Sequence, residues 1–168
     1  MQWTALELDG KKPTWTIPAI EMKRSRYLKD NGRPHLVPLA PQAVAILRDL
    51  QSVTAHGIFV FPSMLGGARP MSENTVNTAL RRLGYDKDTA TAHGVRAMAR
   101  TVMVERLGAN PEVIEAQLAH GKSGPLGAAY DRSEFMEQRR TLMVQWADYL
   151  DLLRAESGVA SSGRRRTR

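Results

Sequence analysis

The spacing of apolar residues shifts along this chain, and each shift predicts a different element. Residues 2–8 and 14–19 alternate or cluster Trp, Thr, Leu and Ile around Asp9-Gly10, which predicts two antiparallel strands joined at a turn. The polar run Lys23–Arg33 contains Asn31-Gly32 and reads as a basic loop projecting from the sheet. It leads into His35-Leu36-Val37-Pro38-Leu39, a third strand. Pro41 then opens a helix with Ala43, Ile46, Leu47 and Leu50 on one side. Ile58–Phe61 is a short apolar piece, and Gly66, Gly67 and Pro70 predict a loop after it. Ser72 is placed to cap a helix that buries Val76, Leu80 and Leu83, and Gly84 stops it.

The second half is helical by its periodicity. A helix from about Thr91 to Leu107 sets Val95, Met98, Ala99 and Val102 opposite His93, Arg96 and Arg100, a core face against a cationic face. Asn110, Pro111 and Glu112 supply cap, first-turn proline and first-turn acid for the next helix. That helix points Ile114 and Leu118 inward and is expected to end at Gly121, just after His120. The longest helix, about Ser133–Arg154, carries Phe135, Leu142, Met143, Trp146, Leu150 and Leu153 on one stripe. The fold class is therefore mainly α with a small antiparallel β-sheet (α+β). One domain is expected over residues 1–156, and the Gly, Ser and Arg of residues 157–168 predict a disordered tail.

Composition narrows the chemistry. The chain has 168 residues, enough for one domain with a proper core. It has no cysteine, which excludes disulfides and thiolate metal sites. His35, His56, His93 and His120 lack metal-ligand spacing, so no metal site is expected. No apolar run reaches membrane length and no signal pattern opens the chain, so a soluble, cytoplasmic protein without membrane contact is the expectation. A net charge of +7 favours a polyanionic partner, although four arginines of the tail supply much of it. Arg81 and Arg82 read as phosphate contacts or, more plainly, as a solvated face.

One stretch concentrates the reactive side chains. His93 and Arg96 stand three residues apart, so on a helix they share a face, and Arg100 follows four residues on. A tyrosine among such cations, Tyr130, is able to attack a phosphate and hold it as an ester. Plainer readings stand beside each of these. His93 also reads as a capping or core histidine, and His120 as a complement to a helix dipole. Arg96 has Glu105 and Glu112 as alternative partners, Tyr130 reads alternatively as a packing aromatic, and Arg100 as structural or as a secondary phosphate contact.

Taken in order, these segments resemble the tyrosine recombinases, the phage integrase family, with wording nearest to prophage integrases of enterobacterial type. Ala92-His93-Gly94-Val95-Arg96-Ala97 and Ala99-Arg100-Thr101 resemble the family's His-x-x-Arg box. Ile114-Glu115-Ala116-Gln117-Leu118-Ala119-His120 resembles its second histidine box, and Ala129-Tyr130-Asp131-Arg132 its nucleophile segment. Gln145-Trp146-Ala147-Asp148-Tyr149-Leu150 is similar to its closing helix, and Trp15-Thr16-Ile17-Pro18, Met22-Lys23 and His35–Leu39 to the hairpin that carries its lysine.

The resemblance implies the recombinase catalytic-domain fold and site-specific recombination of double-stranded DNA at attachment-type sites. Tyr130 would form a 3′-phosphotyrosyl link, with Arg96, His93 and His120 on the phosphate and neither metal nor ATP required. Lys23 would protonate the leaving 5′-oxygen, although Lys29 competes for that assignment and Lys23 also reads as a solvated hairpin charge. Arg24, Arg26, Lys29 and Arg100 would contact DNA, and the closing helix would serve a homo-oligomer, a tetramer on DNA. The family has a further catalytic arginine upstream of the segment that begins at Trp3, and no arginine precedes Lys11 here. The resemblance therefore implies an N-terminally truncated catalytic domain whose cleavage is slowed about 10²–10³-fold, the usual cost of one lost transition-state donor. A non-catalytic DNA-binding remnant and type IB topoisomerase-like strand breakage are the alternatives.

Overall fold

The computed structural model describes residues 1–23, 25–64, 66–120 and 135–158. Its first layer is a three-stranded antiparallel sheet of β1 (Leu6–Glu7), β2 (Thr14–Ile17) and β3 (His35–Pro38) in that order. Trp15 and Ile17 of β2 pair with Val37 and His35, and the β-branched and aromatic residues of Thr14–Ile17 suit a half-buried pleat. Pro38 sits where β3 has no further strand beside it, so its missing N–H costs no ladder bond. The first strand is shorter than its pattern predicts. Trp3–Ala5 turn as a 3-10 helix, because the chain start pairs instead with the apolar piece around Val60. Gln2 bridges Phe59, Trp3 N–H donates to the Ile58 carbonyl and Val60 N–H to that of Met1.

Two segments expected to be loops are ordered elements. The basic run forms α1 (Arg26–Asn31), preceded by a 3-10 turn at Ala19–Glu21. Arg26, Leu28 and Lys29 are good helix formers, and Gly32 N–H caps the Leu28 carbonyl, so Asn31-Gly32 ends a helix rather than turning a hairpin. Pro62–Ser63 and Gly66–Pro70 pair as a second, two-stranded hairpin, β4 and β5, where glycine-rich sequence suggested irregular chain.

The helices that follow are α2 (Pro41–Thr54), α3 (Thr75–Arg82), α4 (Ala92–Glu105), α5 (Pro111–Gln117) and α6 (Met136–Glu156). Two apolar clusters support them. Leu8, Leu47 and Val60 form one beneath the sheet, with Trp3, Leu6, Leu39 and Leu50 packed around them. Met103, Val113, Ile114 and Leu142 form the other, joining α4, α5 and α6, with Leu118, Phe135 and Trp146 against it. Polar ties hold α2 to α6, where Gln42 Nε2 donates to Asp148 at 2.7 Å and Asp151 at 3.1 Å.

Periodicity named the apolar faces but not what covers them. Ile46, expected inward on α2, is exposed, and Val44 takes its place. Val76 and Leu83, expected inside, are exposed, and α3 buries none of its side chains. It is fixed by polar bonds instead. Arg81 donates to the Tyr85 and Ala90 carbonyls, and Asn77 accepts from the Ala92 N–H at 2.9 Å. Arg81 is thereby committed within the fold rather than to a solvated face. On α4, Val95 and Met98 are exposed and only Met103 is buried, because the second cluster reaches just the C-terminal half of that helix. Leu150 and Leu153, the last positions of the α6 stripe, also project into solvent. No described helix is long and apolar enough to cross a membrane.

One buried cation joins the layers. Arg139 of α6 is 2 % exposed. Its Nε donates to Gln117 Oε1 at 2.8 Å, and its Nη2 donates to the Leu36 carbonyl of β3. His35 Nε2 lies 3.3 Å from both Arg139 Nη2 and the Gln117 carbonyl, so the ring makes one bond or the other according to where its proton sits. This ties the sheet to the end of α5. Arg139→Ala, which strands those acceptors and empties a packed volume, is expected to lower the free energy of unfolding by about 3 kcal/mol in urea titrations. Arg140→Ala, losing a single 3.3 Å bond to the Pro13 carbonyl, should cost less than about 1 kcal/mol. Equal losses would contradict the assignment.

Candidate active site

The site is built where α5 ends beside α4. Asn110 Oδ1 caps α5 by accepting from Glu112 N–H at 2.9 Å, and Pro111 occupies its first turn, as the sequence predicts. Its other end departs from expectation. The helix stops at Gln117, three residues before His120, and Ala119 turns the chain with φ of 55°, while Gly121, the expected stop, lies outside the described residues. Ala119 N–H donates to the Ala116 carbonyl at 3.2 Å and His120 N–H to that of Glu115 at 3.0 Å. This is a Schellman closure, a left-handed residue followed by a backward hydrogen bond. It folds His120 back over the helix it has just left.

That return brings together side chains from both helices. α4 and α5 run in opposite senses, so a step back along α4 matches a step forward along α5. Arg100 Nε donates to Glu115 Oε1 at 2.6 Å. One turn earlier, Arg96 Nη2 donates to the Leu118 carbonyl and lies 3.1 Å from His120 Nε2. His120 Nδ1 in turn meets Glu115 Oε2. A carboxylate only accepts and a guanidinium only donates, so these partners fix the neutral ring with its proton on Nδ1 and its lone pair on Nε2. Among the described residues no partner takes the remaining donors of Arg96. His120 and Arg96 are both solvent-exposed.

His93 stands on the first turn of α4, three residues before Arg96 and solvent-exposed. Thr91 Oγ1 caps that turn by accepting from Gly94 N–H at 2.9 Å, and Asn77 takes the Ala92 N–H. Two of the first amides are thus occupied, so anion binding here rests on side chains more than on the helix end. Of the partners the sequence offered Arg96, the structure favours neither Glu105 nor Glu112: its hydrogen bonds go to the Leu118 carbonyl and His120.

The remaining expected residues are spread more widely. Lys23 is exposed between the 3-10 turn and α1. Arg26 pairs across one turn with Asp30 at 3.9 Å, and Lys29 is half-buried in the same helix. Tyr130 and Arg24 lie outside the described residues. No group of three or more His, Asp or Glu able to hold a metal occurs among the described residues.

The profile of the phage integrase family matches residues 1–137. The chain belongs to the phage integrase family. It is 40% identical over 152 residues to prophage integrase IntA of Escherichia coli K12, covering 90% of this chain and 34% of that protein. It is likewise 40% identical over 155 residues to the integrase of Enterobacteria phage P4, covering 88% of this chain and 35% of the relative. Against the integrase of Shigella phage Sf6 the identity is 31% over 152 residues, 90% of this chain and 37% of the relative. The chain spans about a third of the length of these relatives. No solved structure matches it significantly.

Within this phage integrase chain, the residue that sequence reasoning passed over is Glu115. Five positions before His120 it would face away from that histidine on a continuing helix, and only the turn at Ala119 brings the two together. Hydrogen bonds from Arg100 and then His120 hold its carboxyl below the 4.5 usual for glutamate, against a smaller opposing effect of burial. A carboxyl depressed on folding stabilises the native state above its unfolded pKa, and that contribution is lost as pH falls through the lower folded value. Comparing wild type with Glu115→Gln by urea midpoint, the difference is expected to be constant above about pH 4.5 and to shrink on further acidification. A difference that stays constant through the acid range would show that the carboxylate is not held in this way.

Proposed function

We propose that this chain carries the strand-transfer centre of a site-specific DNA recombinase acting on duplex DNA at attachment-type sites. The Tyr130 oxygen attacks a scissile phosphorus, the bond to the 5′-oxygen breaks, and a 3′-phosphotyrosyl link replaces it. An imidazole, His93 or His120, takes the phenol proton, and Lys23 gives one to the departing 5′-oxygen. A 5′-hydroxyl from a second duplex reverses the step and joins new partners. No bond energy is lost to water, so no nucleotide cofactor is needed.

The observation that carries this reading is the Arg96–His120 pair, 3.1 Å apart, with unspent guanidinium donors beside it. Planar paired donors suit non-bridging phosphate oxygens, whose charge grows as phosphorus becomes five-coordinate. Chain connectivity supports it. Tyr130 lies ten residues beyond His120 and five before Phe135, which packs on the α4–α5–α6 cluster, so its backbone is within roughly 17 Å of that anchor. Lys23 follows Ile17 by six residues, and Ile17 pairs with His35, whose ring reaches the Gln117 carbonyl one residue from the Arg96 acceptor. The lysine is thereby tethered at the same end of α5.

Arg24, Arg26 and Lys29 are assigned as contacts to the DNA backbone in this reading. A tetramer on DNA in the bacterial cytoplasm completes the reading. Leu150, Leu152 and Leu153, exposed on the last turns of α6, support a docking role for that helix between protomers.

The test is a nicked or phosphorothiolate attachment-site duplex incubated with the chain and run under denaturing conditions. A covalent protein–DNA adduct is expected, abolished in Tyr130→Phe and formed about 10²–10³-fold more slowly in Arg96→Ala. Duplex affinity should fall steeply with salt in every variant, as phosphate contacts release counterions. Salt-dependent binding with no adduct, from this chain or from one joined to the upstream part of a relative, would leave a DNA-binding module and overturn strand transfer. Relaxation of a supercoiled plasmid without joining would point to a topoisomerase instead.

A further inference from the structure

We propose that Glu115 is a positioning residue of the strand-transfer centre, one that sets the proton position on His120 and fixes the Arg100 side chain. The inference rests on the function proposed above and adds to it a residue outside the reactive set. Its basis is the geometry of one carboxylate serving two helices. Oε1 accepts from Arg100 Nε at 2.6 Å and Oε2 from His120 Nδ1, so each oxygen has its own cation or donor.

The consequence for His120 is specific. With Nδ1–H committed to Glu115, the other nitrogen, Nε2, is the one that faces Arg96 and the open side of the site. In the free protein its lone pair accepts from Arg96. When a phosphate arrives, Arg96 turns its donors to the oxygens, and Nε2 is left to take a proton or share one with the phosphate. A ring without this partner would carry its proton mostly on Nε2, the form that dominates in solution, and would offer no lone pair there. Arg100 holds the carboxylate from the far side, and its salt bridge leaves the Nε unavailable to DNA. Arg100 therefore supports the site from behind rather than gripping a phosphate with that atom. Among the described residues, the charged or titratable groups acting on Glu115 are Arg100 from α4 and His120 from its own segment.

The test reads the ring directly and then the reaction. Nitrogen-15 spectra of the imidazoles of this chain, at mildly alkaline pH where a free imidazole is neutral, are expected to show His120 protonated on Nδ1. Glu115→Ala, which leaves only the Arg96 contact to favour the Nε2 lone pair, should raise the share of the Nε2-protonated form well above wild type, with backbone spectra of α4 and α6 unchanged. Glu115→Gln, whose amide oxygen still accepts, should retain Nδ1–H in part. On the trapped duplex, adduct formation at saturating DNA should slow about 10–100-fold in Glu115→Ala, the range seen when an orienting partner of a site residue is removed, and recover toward wild type in Glu115→Gln. Duplex affinity should not change. An unaltered tautomer in Glu115→Ala, or a rate loss that follows weaker DNA binding, would overturn the proposal. Should Glu115→Ala fail to fold, the tautomer and rate of Glu115→Gln and Glu115→Asp decide the matter in the same way. If wild type forms no adduct, strand transfer fails as the function, and the tautomer result still decides whether Glu115 orients His120.

Discussion

The structure depends on one closure: the end of α5, where the Leu118 carbonyl accepts from Arg96 and the chain turns back at Ala119. An α-helix leaves its last carbonyls without intrahelical donors. Here one of them is satisfied by a guanidinium from the neighbouring helix, and that bond places the guanidinium beside His120. A cation at a helix C-terminus is favoured by the helix dipole as well. The same element thus caps a helix and sets the distance between the two side chains best suited to a phosphate. Ala119 in a left-handed conformation costs roughly 1 kcal/mol more than glycine would, a strain met by the two backward hydrogen bonds it permits.

The rest of the fold holds that corner in place. Ile114 and Val113 anchor α5 in the cluster with Met103 and Leu142, so α5 does not slide against α4 or α6. Arg139 reaches from α6 to the Gln117 side chain and the Leu36 carbonyl, so sheet, α5 and α6 meet within one side chain's length. β2 and β3 are joined at Ile17–His35, next to the same helix end. Residues that act together in the proposed reaction thus come from three parts of the chain, and each is referred to one rigid point.

Much of this was legible from residue types and spacing. The α+β class, the Asn110-Pro111-Glu112 helix start, the strand pairing around Trp15 and the shared face of His93, Arg96 and Arg100 all follow from local rules. What escaped is non-local. The α1 helix was masked by an Asn-Gly pair that caps instead of turning, because the pattern does not say whether the second strand follows at hairpin distance. Val95, Met98 and Leu83 are apolar at helical spacing, yet periodicity cannot say whether a neighbour covers them. Arg139 reads as a surface charge until β3 is laid against α6. Glu115 was invisible for a geometric reason: its partner is five residues on, an off-face spacing in any straight helix. Membership of the phage integrase family came from the order of several motifs, none of which is specific alone.

The central claim is that Arg96 and His120, oriented by the end of α5, grip a DNA phosphate that Tyr130 attacks. The most direct measurement is a structure of the chain on a duplex trapped at the cleavage site. It should show one phosphate within hydrogen-bond distance of both the Arg96 guanidinium and His120 Nε2, the Tyr130 oxygen bonded to or in line with its phosphorus, and Nδ1 still on Glu115. A phosphate bound elsewhere, with Arg96 still committed to Leu118 and His120 and Tyr130 turned away, would contradict it.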